Sequence, residues 1–188
     1  SYADAGFSTM TERLAEKIKL AAKVDVRRLA AVSSKKGTRR PHVAGVSRRT
    51  GTARRSAPAK VVVIGSSTGG PRALHELIPA LPSDIPASIL LVQHMPPGFT
   101  KSLAGRLASF SQIEVKEAEA DEALRAGLAQ VAPGDYHLTI AGGDRIRLTQ
   151  DPPRHGLRPA VDVTMEAAAR MYRDRCIGVV LTGMGADG

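Results

Sequence analysis

Val61-Val62-Val63-Ile64-Gly65-Ser66-Ser67-Thr68-Gly69-Gly70-Pro71 is the stretch on which the fold turns. Four β-branched residues in a row have no polar alternation, the pattern of a strand buried on both faces of a sheet. The glycine- and serine-rich loop that follows ends the strand. Pro71 then opens a helical segment to about Pro79, because proline is tolerated in a first helical turn where its missing N–H has no partner to lose. Ala73, Leu74, Leu77 and Ile78 fall on one side of that segment. Strand, tight loop and helix in this order form one βα unit.

Working outward, the pattern repeats. Ser88 to Gln93 reads as a second apolar strand, and Phe99 to Phe110 as a helix with Leu103 and Leu107 one turn apart. Ile113 to Ala118 alternates like a strand, and Leu128 to Val131 is a short one. Tyr136 to Ile140 and Ile146 to Leu148, joined through Gly142-Gly143, form an expected hairpin. Asp162 is placed to cap a helix running to about Arg173. Cys176 to Leu181 reads as a final buried strand, followed by Thr182-Gly183-Met184-Gly185-Ala186-Asp187-Gly188. The expected fold is α/β: a doubly wound, mostly parallel, Rossmann-like sheet with helices on both faces and a C-terminal hairpin insertion.

Upstream the composition is different. The 188 residues carry a formal net charge of +9, which invites a nucleic-acid reading. Residues 1–60, however, hold 15 Lys+Arg against 4 Asp+Glu, a net of +11, and residues 61–188 hold 12 against 14, a net of −2. The basicity belongs to the first third. There, residues 9–24 read as a helix opened by a capping box, Thr9-Met10-Thr11-Glu12, with Leu14, Ile18 and Ala21 as an apolar stripe that wants a partner. Ser33 to Lys60 alternates basic pairs with Ser, Thr, Gly, Ala and Pro and reads as a flexible tether. A polyanion-binding arm is the competing reading, disfavoured because no aromatic is interleaved for base stacking. The expected division is 1–60 and 61–188. At 43% hydrophobic the chain can bury a core, and no apolar run approaches the ~20 residues of a membrane span. No signal peptide is recognised. The single cysteine, Cys176, excludes an internal disulfide framework and a Cys-cluster zinc site, and a cytoplasmic location fits best.

Three loops at the carboxyl ends of strands carry the chemistry: Gly65–Gly70, His94–Gly98 and Gly183–Gly188. Gly65-Ser66-Ser67-Thr68-Gly69 fits G-x-S-x-G between strand and helix, which puts a nucleophile at Ser67, with N–H groups of the following helix aimed at an oxyanion. The same loop could instead bind phosphate, making the chain a non-catalytic nucleotide- or phosphate-binding module. A serine nucleophile needs a base. Of His42, His75, His94, His137 and His155, only His94 ends a strand of the same sheet. Asp187 is the carboxylate proposed to orient it, with Asp162 and Asp135 as competitors. The arrangement to look for is Ser67 Oγ beside His94 Nε2 with Asp187 on the other ring nitrogen. Met184 lies where its backbone N–H could face the site. No His/Cys spacing suggests a metal, and Cys176 reads as an inert core residue.

The three loops together point to a family. Val63-Ile64-Gly65-Ser66-Ser67-Thr68-Gly69-Gly70, Gln93-His94-Met95-Pro96-Pro97-Gly98-Phe99-Thr100 and Leu181-Thr182-Gly183-Met184-Gly185-Ala186-Asp187-Gly188 closely resemble signatures of chemotaxis protein-glutamate methylesterases. Ala132-Pro133-Gly134-Asp135-Tyr136-His137-Leu138 and Arg158-Pro159-Ala160-Val161-Asp162 resemble them too. The resemblance implies hydrolysis of γ-glutamyl methyl esters on methyl-accepting chemoreceptors, releasing methanol, with a related glutamine deamidase activity and no cofactor. It carries the catalytic roles onto Ser67, His94 and Asp187, an oxyanion-side role onto Met184 and a site-lining role onto Thr68. It implies a phosphorylatable receiver domain before this segment, with residues 1–60 as its last helix plus linker, and a catalytic domain that continues past Gly188. It implies neither specific nucleic-acid binding nor membrane insertion.

Overall fold

The computed structural model describes residues 15–19 and 57–188. The capping box at Thr9–Glu12, most of the helix expected over 9–24, the tether before residue 57 and His42 lie outside the described residues.

Seven strands and three α-helices follow from residue 60 on. They are β1 (Lys60–Ser66), α1 (Gly70–Leu77), β2 (Ala87–Gln93), α2 (Phe99–Phe110), β3 (Glu114–Glu117) and β4 (Leu128–Val131), then β5 (His137–Ala141), β6 (Arg145–Thr149), α3 (Val161–Tyr172) and β7 (Cys176–Val180). Five strands form one parallel sheet in the order β3-β4-β2-β1-β7. The hairpin β5–β6 stands apart as an antiparallel pair. All seven residues of β1 are buried, as its unbroken apolar run requires.

The helices divide between the two faces. Leu74 and Leu77 of α1 and Leu103 and Leu107 of α2 pack with Val62, Ile64, Ile89 and Leu91 on one face. Val161, Ala168 and Tyr172 of α3 pack with Val61, Val63, Leu90 and Val92 on the other, together with Leu138 and Ile146 of the hairpin. Each buried Val, Leu or Ile among them contributes about 1.5–3 kcal/mol. The doubly wound expectation holds. Residues 15–19 are helical, and Ala15 and Ile18 join the first cluster at 1% and 2% exposure. Of the expected stripe, Ile18 therefore packs into the core, and Leu14 and Ala21 lie outside the described residues.

Two local expectations are corrected. Cys176–Val180 is not a fully buried strand: among the described residues it pairs with β1, and Val180 is 57% exposed. Asp162 is not the N-cap of α3. The cap position is Ala160, which offers no side-chain acceptor, and Asp162 sits in the first turn. The carboxylate that completes this helix end comes from far along the chain. Among the described residues, no helix is long and apolar enough to cross a membrane.

Candidate active site

Ser67 is the first residue beyond β1. The tight exit from the strand depends on glycines in three ways. A Cβ on Gly65 would lie 2.4 Å from Val161 Cγ1, so glycine lets the start of α3 approach β1. Gly69 takes φ 79°, the left-handed conformation that side chains disfavour. A Cβ on Gly70 would lie 1.9 Å from Gln93 Oε1, so this glycine makes room for a side-chain amide. The positive φ falls on Gly69 and not on Ser67, so the serine itself is unstrained.

The loop after β7 closes against this turn. Ser67 N–H donates to the Thr182 carbonyl at 2.9 Å, and a Cβ on Gly183 would come within 3.0 Å of Ser67 Cβ. The Gly70 N–H turns back to the Ser67 carbonyl at 2.9 Å. With both amides engaged, the loop is a poor phosphate cradle, and the oxyanion donors expected at the head of α1 are partly spent. The Met184 N–H makes no hydrogen bond with any described residue, and its side chain is 80% exposed, so Met184 is not a packing residue.

His94 follows β2 and donates from Nε2 to Asp187 Oδ2 at 2.8 Å, across 93 positions of sequence. Asp187 is held from its other side. Its Oδ2 accepts the Val161 N–H at 2.7 Å and its Oδ1 the Asp162 N–H at 2.9 Å. These are the first exposed amides of α3, so the carboxylate caps that helix and sits at the positive end of its dipole. Three donors on a side chain that is 1% exposed fix its position and point one oxygen at the ring. The ring nitrogen expected to carry Asp187 is thereby corrected: Asp187 takes Nε2, leaving Nδ1 as the nitrogen without a hydrogen bond. Ser67 Oγ makes no hydrogen bond with either. A cleft of about 200 Å³ brings Ser67, His94, Met184 and Asp187 together along its wall. Thr68 is exposed beside Ser67, and its carbonyl accepts from the Thr182 hydroxyl at 3.0 Å.

The competitors are committed elsewhere. Asp135 accepts from Arg158, whose guanidinium holds the carboxyl below its ordinary range against the opposing effect of burial, with help from Gln150. Asp162 pairs with His155 at 3.0 Å and accepts the Gly188 N–H at 3.2 Å. Burial would raise its carboxyl, but His155, Gly188 N–H and Arg154 together bring it below the usual range. His155, Asp162 and Asp187 bring possible ligand atoms within 4.8 Å, yet these carboxylates already accept protein hydrogen bonds. His137 is buried, accepting the Ala160 N–H and facing the Pro152 carbonyl. His75 lies edge-on to Phe110.

Gln93, whose side chain the sequence pattern does not mark as part of the site, is the last residue of β2. It is 2% exposed, and its amide donates to the Ser67 carbonyl at 2.9 Å and to the His94 carbonyl at 3.2 Å. The signal available was a polar residue closing an otherwise apolar buried run.

Residues 62–188 match the family model described as CheB methylesterase. A protein of Symbiobacterium thermophilum named protein-glutamate methylesterase/protein-glutamine glutaminase is 56% identical over 146 residues, covering 78% of this chain and 40% of that protein. A protein of the same name from Thermotoga maritima is 46% identical over 185 residues, covering 97% of this chain and 50% of its own length. The crystal structure of the Thermotoga maritima CheB methylesterase catalytic domain is similar at a TM-score of 0.67 and 52% identity, over 71% of each chain. The chain thus spans half or less of the length of these curated relatives.

Proposed function

This chain belongs to the CheB methylesterase family, and on that premise we propose that it is the catalytic portion of a serine hydrolase removing methyl groups from glutamate γ-methyl esters of chemoreceptors. Glutamine deamidation at the same site follows from the same chemistry, with ammonia as the leaving group in place of methanol. The observation that carries the reading is the 2.8 Å His94–Asp187 hydrogen bond opening onto a cleft that Ser67 also lines.

In this reading His94 accepts the Ser67 hydroxyl proton through Nδ1 as Oγ attacks the ester carbonyl. Asp187 keeps the other ring proton on Nε2 and stabilises the imidazolium that forms. Backbone amides near the turn, that of Met184 among them, take the developing negative charge on the carbonyl oxygen. His94 then protonates the departing methoxide, and water cleaves the acyl-enzyme with His94 again as base. The groups supplied are a nucleophile, a base and hydrogen-bond donors, so no cofactor enters.

The same reading assigns residues 61–188 to catalysis and 1–60 to the end of a receiver-like helix plus linker. Its partners are a methyl-accepting chemoreceptor as substrate and a phosphorylatable receiver domain in the intact protein, and its compartment is the cytoplasm. The alignment of the Thermotoga maritima relative across 97% of this chain supports joining both segments in one longer protein. Methanol release from methylated receptor by the full-length protein tests the reading. Ser67→Ala should abolish turnover, and Asp187→Asn should lower kcat by on the order of 10⁴-fold. Unchanged release by Ser67→Ala overturns it.

A further inference from the structure

Ser67 and His94 follow different strands, and between their ends the backbone supplies one tie, the His94 N–H donating to the Ser66 carbonyl at 3.1 Å. One buried side chain does reach both. Gln93 and Ser66 are register partners at the carboxyl ends of β2 and β1. The Gln93 amide nitrogen donates to the Ser67 carbonyl at 2.9 Å and to the His94 carbonyl at 3.2 Å. Its Oε1 accepts from the Ser66 hydroxyl at 2.8 Å, and the two carbonyls, which can only accept, fix which end of the amide faces them. Ser66 is itself 4% exposed, and Gly70 leaves the space that Oε1 occupies. The amide nitrogen and oxygen thus both join the end of β1 and the loop after it to the end of β2.

We propose that Gln93 is a positioning residue that clamps the Ser67 and His94 backbones at a fixed separation, with Ser66 holding the amide in register. It touches no substrate and acts through the two residues it ties. The effect is on pre-organisation: a displacement of about 1 Å in a reacting pair can lower a rate by about 100-fold while leaving binding alone. The inference rests on the catalytic reading of Ser67 and His94, and its test has one readout that does not.

In the full-length protein, Gln93→Met keeps the volume and removes both donors. It is expected to lower kcat for methanol release by about 10- to 100-fold with KM unchanged. Ser66→Ala removes the partner of Oε1 and is expected to produce a smaller loss of the same kind. Gln93→Glu adds a pH signature. The carboxylate cannot donate to either carbonyl, whereas the protonated acid can donate to one while accepting from Ser66. Its kcat relative to wild type should therefore rise as pH falls, and that of Gln93→Met should not. Independently of turnover, amide hydrogen exchange at residues 66–70 and 93–95 should accelerate in Gln93→Met while the amides of α2 keep wild-type protection. Wild-type kcat in Gln93→Met together with unchanged exchange in both loops overturns the clamp. An inactive wild-type protein overturns the catalytic reading, and the exchange result then still decides whether Gln93 holds the loops.

Discussion

Gly65 shows how much a single absent methyl group decides. A Cβ there would enter the space of Val161, the residue whose N–H holds Asp187. Gly65→Ala should push α3 away from β1, destabilise by about 1–3 kcal/mol in denaturant titration and lower turnover as well. Asp162 gives a pH test. Its folded-state ionisation lies below that of an unfolded aspartate, with burial opposing and His155, Gly188 and Arg154 prevailing. Its contribution is therefore fully present above about pH 4 and is lost as pH falls through the lower folded value. Stability curves of Asp162→Asn and wild type should converge at the acid end and separate above about pH 4. Cys176 is half-buried and burial raises its thiol. At pH 8 it should alkylate more slowly in the native protein than in urea, as a packing residue would.

At the scale of elements, Asp187 and α3 depend on each other. The helix has no acceptor at its own cap, and the distant carboxylate supplies it. Asp187→Ala should consequently do two things: abolish turnover and destabilise by about 0.5–2 kcal/mol through the lost cap. His94→Ala should abolish turnover with a smaller loss of stability, because its ring donates to Asp187 but the two amides of the helix end keep their acceptor. Thermal or urea unfolding of the two variants side by side separates the roles. A similar dependence supports the histidine loop. A Cβ on Gly134 would strike the Pro96 and Pro97 backbone at 2.5–2.8 Å, and the Gly134 N–H donates to the buried Thr100 hydroxyl. The segment after β4 is thus fitted beneath the loop that begins at His94.

For the whole molecule, the site is a consequence of strand order. β1 leads to β2 on one side, and the chain returns to β7 on the other, so three strands that are distant in sequence end together. This reversal opens the crevice that α/β sheets use for ligands. The core is shared more widely than the motif-bearing segment, since Ile18 is 2% exposed within the cluster that contains α1 and α2. Ile18→Ala should lower the unfolding free energy by about 2–5 kcal/mol. A helix belonging only to a tether would change it negligibly, and urea denaturation distinguishes the two.

Local pattern alone was enough for β1, α1, α2 and β4, because an unbroken β-branched run and a 3.6-residue apolar stripe each have one way to bury themselves. It also picked out Ser67, His94 and Asp187 as strand-end residues with suitable chemistry. Only the tertiary structure decided that Asp187 meets Nε2, that the same carboxylate caps α3 in place of Asp162, and that Gln93 bridges the two loops. It also decided that β7 pairs with β1 and is only partly buried. The physical reason is the range of the forces involved. Strand and helix periodicity are set by neighbours a few positions away, whereas these hydrogen bonds join residues 25 to 93 positions apart and exist only once strand order has brought them together.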